Sequence, residues 1–163
     1  MNREYADEIS TAIGELKKDG RYRELNNYIQ HGTVSVFKHC RNVAYVSLLI
    51  ADRLHIRVDR KALVKGALLH DYFLYDWHEK NKNHRLHGFY HPRHALPNAM
   101  QDYNISDKEA DIILKHMFPL TIIPPNNREA WIVCMADKIC ATYETAGNFR
   151  PVSYTHLTLP TIL

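Results

Sequence analysis

Gly66-Ala67-Leu68-Leu69-His70-Asp71 is the stretch on which the reading turns. An apolar, helix-compatible run ends in a histidine and an aspartate side by side. A carboxylate is costly to bury alone, so an Asp closing such a run needs a cation or hydrogen-bond donors. Three other segments carry a His or an Asp in similarly apolar surroundings, and they are the first place to look for partners.

Working outward, Asp59 caps a predicted helix over 60–71, with Ala62, Leu63, Ala67, Leu68 and Leu69 as its apolar positions. Upstream, 34–55 reads as a helix that is apolar nearly all round, as a central helix would be, and His39 lies on the face of Val43, Val46 and Ile50. Residues 3–18 form an amphipathic helix with Tyr5, Ile9, Ala12, Ile13 and Leu16 as its stripe. Leu25, Tyr28 and Ile29 mark a short helix that stops at Gly32. Downstream, Tyr72 to Trp77 either extends the helix or covers the site. Residues 78–94 form a basic, histidine-rich loop holding Lys80, Lys82, Arg85 and Arg93, and it leads into a helix starting near Pro92. Ser106 and Glu109 form a capping-box pattern opening a helix that ends at His116. Asn127 caps a last helix over 128–145, which carries Asp137 on an apolar face. No alternating pattern predicts strands. The expected fold is all-α, a single-domain bundle of six or seven helices over 1–150.

With 163 residues, 45% apolar and 24% charged, the chain can bury a core of its own. A net charge of +3 is too small to imply nucleic-acid binding but suits a small anionic substrate. Cys40, Cys134 and Cys140 show no CxxC spacing. Cys134 and Cys140 sit six apart on one predicted helix, so reduced thiols are expected. The polar N-terminus lacks a signal-type apolar region, and no apolar run reaches the roughly 18 residues that span a bilayer, so a cytoplasmic location is expected. Residues 151–163 lack the charge and periodicity of a folded element. They resemble the in-frame translation of a sequencing adapter, and are set aside as a non-native tail behind a domain cut short near Arg150.

His39, His70, Asp71 and Asp137 offer two nitrogens and two carboxylates from separate helices. Such a set suits Mn²⁺, Fe²⁺, Co²⁺, Ni²⁺ or Zn²⁺. The order His…His-Asp…Asp, with His39-Cys40-Arg41-Asn42-Val43, Ala67-Leu68-Leu69-His70-Asp71 and Ala136-Asp137-Lys138, resembles the HD-domain superfamily of metal-dependent phosphohydrolases over roughly 33–145. The resemblance implies an all-α fold and hydrolysis of a phosphomonoester or phosphodiester, such as that of a nucleotide, by metal-activated water. His70 and Asp71 would stand at its catalytic centre. Members with two metals add two histidines between motif and last Asp. His94 and His116 stand where those would be, and His91 is an alternative to His94. Asp71 would then bridge one ion and the other. With one ion only, His94 and His116 would bind phosphate. Arg41, Lys80, Arg85, Arg93 and Lys138 are candidates to attract the substrate's phosphate. Tyr72-Phe73-Leu74-Tyr75 stands where many relatives carry Gly-Lys, and the GYP signature is absent, which lowers the odds of cyclic-dinucleotide turnover. Two alternatives stay open: a non-catalytic metal- or nucleotide-binding module, and a di-iron oxygenase on the same fold.

Overall fold

The computed structural model describes residues 2–78 and 87–147. Helix α1 (Arg3–Leu16) is followed by a 3-10 turn (Tyr22–Asn27), strands β1 (Ile29–His31) and β2 (Val34–Ser35), then helices α2 (Val36–Arg53), α3 (Arg60–Leu69), α4 (His87–Asp102), α5 (Asp107–Lys115) and α6 (Arg128–Thr145). The architecture is the expected all-α one. Among the described residues, no helix is long and apolar enough to cross a membrane.

Local chemistry sets the helix starts. Side chains of Asn2, Ser35, Asp59 and Asn127 each accept a backbone N–H in the first turn of the helix they cap. Ser106 and Glu109 complete a reciprocal capping box on α5. Tyr5, Ile9, Ile13 and Leu16 bury the stripe of α1. Helix α2 is central and packs on α1, α3 and α6. Its Cys40, Val43, Ala44, Leu48 and Ala51 are fully enclosed. The three cysteines are free and buried.

Two local expectations are corrected. Residues 29–35 are a small antiparallel hairpin, with Ile29 opposite Ser35 and His31 opposite Val34. Gly32 does not stop a helix there. Its φ of 56° lies in the left-handed region that glycine enters without steric cost, and it makes the turn. Helix α4 begins at His87, ahead of Pro92. Pro92 is its sixth residue, past the four positions whose N–H groups have no partner in any case, and so it forgoes one backbone bond, to residue 88. The segment from Tyr72 to Trp77 is irregular and does not continue α3.

A polar clamp ties the N-terminal part to α4. Arg21 grips Asp102 through Nε at 2.9 Å and Nη2 at 3.1 Å, and the Tyr72 hydroxyl donates to the same carboxylate at 2.7 Å. Burial pushes the Asp102 carboxyl up, but the Arg21 and Tyr72 bonds outweigh it and hold the group below the ordinary carboxylate range. A carboxylate lowered in this way stabilises the fold above its unfolded pKa, and that stability is lost as pH falls through the folded value. Asp102→Asn should therefore cost about 1–2 kcal/mol near neutrality, with the gap to wild type narrowing in urea titrations as pH falls through the lowered pKa of the folded carboxyl.

Helices α3 and α5 meet at Gly66. A Cβ there would overlap Ile112 Cδ1 and stand 3.0 Å from its Cγ2 and 3.1 Å from its Cβ. Gly66→Ala gains roughly 1 kcal/mol of helix propensity, but overpacking of about 1–3 kcal/mol should exceed it. A lowered unfolding midpoint in urea is the expected reading.

Candidate metal centre

The site is built from helix ends. Helix α3 stops at His70, its C-cap, which sets Asp71 just beyond in the core. Helix α5 stops the same way at His116. In each case the ring turns back on its own helix: Nδ1 lies 2.7 Å from the Ala67 carbonyl in His70 and 2.8 Å from the Ile113 carbonyl in His116. A carbonyl only accepts, so both Nδ1 atoms carry the proton and donate it. Each Nε2 is thereby turned toward the site. On α2, His39 is fully buried and its Nδ1 lies 2.7 Å from Glu144 Oε2. Asn42 donates to the other Glu144 oxygen at 3.1 Å. A carboxylate behind an imidazole is a recurring support for a metal-binding histidine, because it fixes tautomer and ring orientation.

Asp71 lies at the centre, 1% exposed. Its Oδ2 faces His39 Nε2 at 3.6 Å and His70 Nε2 at 3.4 Å. Its Oδ1 faces His91 Nε2 at 3.1 Å and His116 Nε2 at 3.5 Å. Asp137, from α6, closes the first side, with Oδ1 3.0 Å from His39 Nε2 and 3.7 Å from His70 Nε2. On the second side, His91 and His116 bring their Nε2 atoms within 2.7 Å.

Charge is strongly coupled here. Burial pushes the Asp71 and Asp137 carboxyls up, yet His70 and its neighbours hold Asp71 well below the ordinary range, and His39 and His70 do the same for Asp137. Burial opposes a charge on His39, but its bonds to Asp137 and Glu144 raise it to about 10. His70 is likewise raised against burial, chiefly by Asp71. His116 goes the other way: burial takes it down to about 4, so its ring is neutral at pH 7.

The donor set fits a divalent cation. Among the described residues, His39, His70 and Asp71 form one group whose ligand atoms lie within 4.8 Å of one another, and Asp71, His91 and His116 form a second. Both are wholly buried. His70 Nε2 and Asp71 Oδ1 are enclosed without an aligned hydrogen bond among the described residues, a costly state for polar atoms unless something else binds them. Nitrogen and carboxylate oxygen together suit the borderline transition metals. Beside the cluster lies a pocket of about 790 Å³, whose lining includes the polar Gln30, His31 and Lys138 and the apolar Trp77, Phe89, Met117, Pro119 and Leu120.

The structure brings His39, His70, Asp71, Asp137 and His116 together and leaves His94 apart from them. On α4 the inward row is His91, Ala95 and Ala99, four residues apart and all buried. His94 lies off that row, exposed, with its ring against Tyr75, and it is His91 that faces Asp71. Of the basic candidates, Lys138 lines the pocket, with Nζ donating to the His116 carbonyl at 2.9 Å. Arg93 is exposed and Arg41 half-buried, and neither lines the pocket. Lys80 and Arg85, like residues 151–163, lie outside the described residues.

Gln30, His31 and Glu144 are neighbours of the site that the sequence reading did not single out. A signal existed for Glu144. It follows Asp137 by seven positions, two turns on the same face, and an acid in a helix's last turn runs against the dipole unless a partner holds it. Gln30 and His31 depend on the hairpin, which carried no periodic signal.

Because Glu144 orients His39, Glu144→Ala should weaken Mn²⁺ binding by about 10–100-fold in calorimetric titration. An unchanged affinity would mean that Glu144 only fills the core.

In comparison with known proteins, residues 36–142, well over half of the chain, match the family model described as HD domain. A search of curated proteins and a search of solved structures each found no match. HD domains are typically metal-dependent hydrolases, and the match spans α2 through most of α6, the region that carries every residue of the two buried groups. The chain belongs to the HD domain family.

Proposed function

We propose that the chain is a metal-dependent phosphohydrolase acting on a phosphomonoester or phosphodiester with an organic part of nucleotide size. The observation that carries this reading is the placement of Asp71, whose two oxygens each face a different histidine pair. His39, His70, Asp71 and Asp137 would hold one cation, and Asp71, His91 and His116 a second, with Asp71 shared. A divalent cation bound there supplies Lewis acidity, lowering the pKa of water and neutralising charge on a phosphoryl oxygen.

The chain's own groups have distinct parts. Nδ1 of His70 and of His116 is held by its own helix, which turns each Nε2 toward the site as the ligand atom. Asp71, kept ionised by its histidines, retains both oxygens as acceptors. The Lys138 ammonium places a positive charge on the pocket wall, suited to an anionic substrate. The Trp77, Phe89, Met117 and Leu120 wall favours an apolar or aromatic leaving group and limits water around the reacting bond.

The test is a screen of p-nitrophenyl phosphate, bis(p-nitrophenyl) phosphate and the nucleoside monophosphates with Mn²⁺, Fe²⁺, Co²⁺, Ni²⁺ and Zn²⁺ in turn, beside metal analysis. Hydrolysis that depends on metal and falls by at least about 10³-fold in Asp71→Ala is expected, since the variant removes a ligand common to both groups. Protein that binds no metal, activity untouched by Asp71→Ala, or oxygen consumption in place of phosphate release would overturn the reading.

A further inference from the structure

The hairpin sends one side chain into the centre. Along β1, Ile29 is exposed, Gln30 is buried at 6% exposure, and His31 is half-buried at the pocket wall. The hairpin's base is held by the Val36 N–H, which donates to the Tyr28 carbonyl at 2.9 Å. Gln30 Nε2 donates to Asp71 Oδ2 at 2.5 Å, the oxygen that also faces His39 and His70. The chemistry settles which end of the amide points where. An ionised carboxylate only accepts, so the NH₂ group must face Asp71 and the carbonyl must face away. That carbonyl oxygen, Oε1, is buried with no hydrogen-bond partner among the described residues, and Gln30 lines the pocket. A buried acceptor left unmet is a costly state, so this oxygen calls for a donor beyond the described residues.

We propose that Gln30 is a positioning residue, its Nε2 fixing the Asp71 carboxylate and its Oε1 accepting a hydrogen bond from the water that attacks phosphorus. The water's role rests on the phosphohydrolase reading; the grip on Asp71 does not. An acceptor-only atom cannot bind a bare phosphate oxygen, whereas it suits an O–H. One amide thus links the orientation of the shared ligand to that of the nucleophile.

The test uses the full chain with two substitutions. Gln30→Met keeps the length and loses donor and acceptor. Gln30→Asn keeps the amide and draws it back by one methylene. Thermal unfolding, Mn²⁺ titration and Mn²⁺-supported hydrolysis of bis(p-nitrophenyl) phosphate are compared with wild type. In both variants the dissociation constant for Mn²⁺ should rise about tenfold, and kcat should fall at least about tenfold with KM within about twofold. A folded variant that binds Mn²⁺ and turns over as wild type overturns the proposal. A raised KM with unchanged kcat overturns the water's role, since Oε1 would then bind substrate. If wild type hydrolyses no phosphoester, the phosphohydrolase reading fails and the water's role with it, while the Mn²⁺ titration still decides the grip on Asp71. If one variant does not fold, the other decides. If neither folds, Gln30 is structural and the proposal falls.

Discussion

A carboxylate withdrawn from water must be met by positive charge or by donors on both of its oxygens, and Asp71 is withdrawn almost completely. The arrangement of the helices around it answers that demand. Helix α2 contributes His39, α4 contributes His91 and the hairpin adds Gln30, while α5 sets the neutral His116 ring beside the second oxygen. Helix α6 brings Asp137 against the His39 and His70 rings. These elements are distant in sequence, so the site exists only in the folded chain. Removing one partner would leave a buried charge uncompensated, which costs far more than the contact itself contributes.

Around that centre stands a layer whose task is orientation. His70 and His116 solve one problem identically: each is the C-cap of its helix and donates its Nδ1 proton to a carbonyl three residues back. The helix end supplies the acceptor, because its final carbonyls have no intrahelical partner. His39, inside a long helix, has no such carbonyl to spare, and Glu144 from α6 takes the role. Three histidines are therefore pinned at Nδ1, which leaves Nε2 to face the centre.

Much of this was legible in the chain. Capping side chains marked the starts of α3, α5 and α6, because caps are local chemistry and need no tertiary partner. The apolar faces of α2 and α3 identified the core. His39, His70, Asp71 and Asp137 stood out because polar groups on apolar faces are costly and thus informative. What escaped was whatever depended on direction. His91 and His94 are three residues apart on one helix and differ only by their angle to the core, which a Pro-containing helix of undetermined start leaves open. The hairpin is too short to show a period, and its Gly32 fits a helix stop as well as a tight turn.

The sequence by itself determined the helical class, the starts of most helices and which groups had to find partners in the interior, since each follows from propensity, caps or the cost of burying charge. Only the tertiary structure decided which partners they found. It placed His91 inward, set Glu144 behind His39 and brought Gln30 onto Asp71, because these pairings depend on helix rotation and on contacts between residues 41 and 105 positions apart. Such contacts leave no trace in local pattern and exist only once the core has closed.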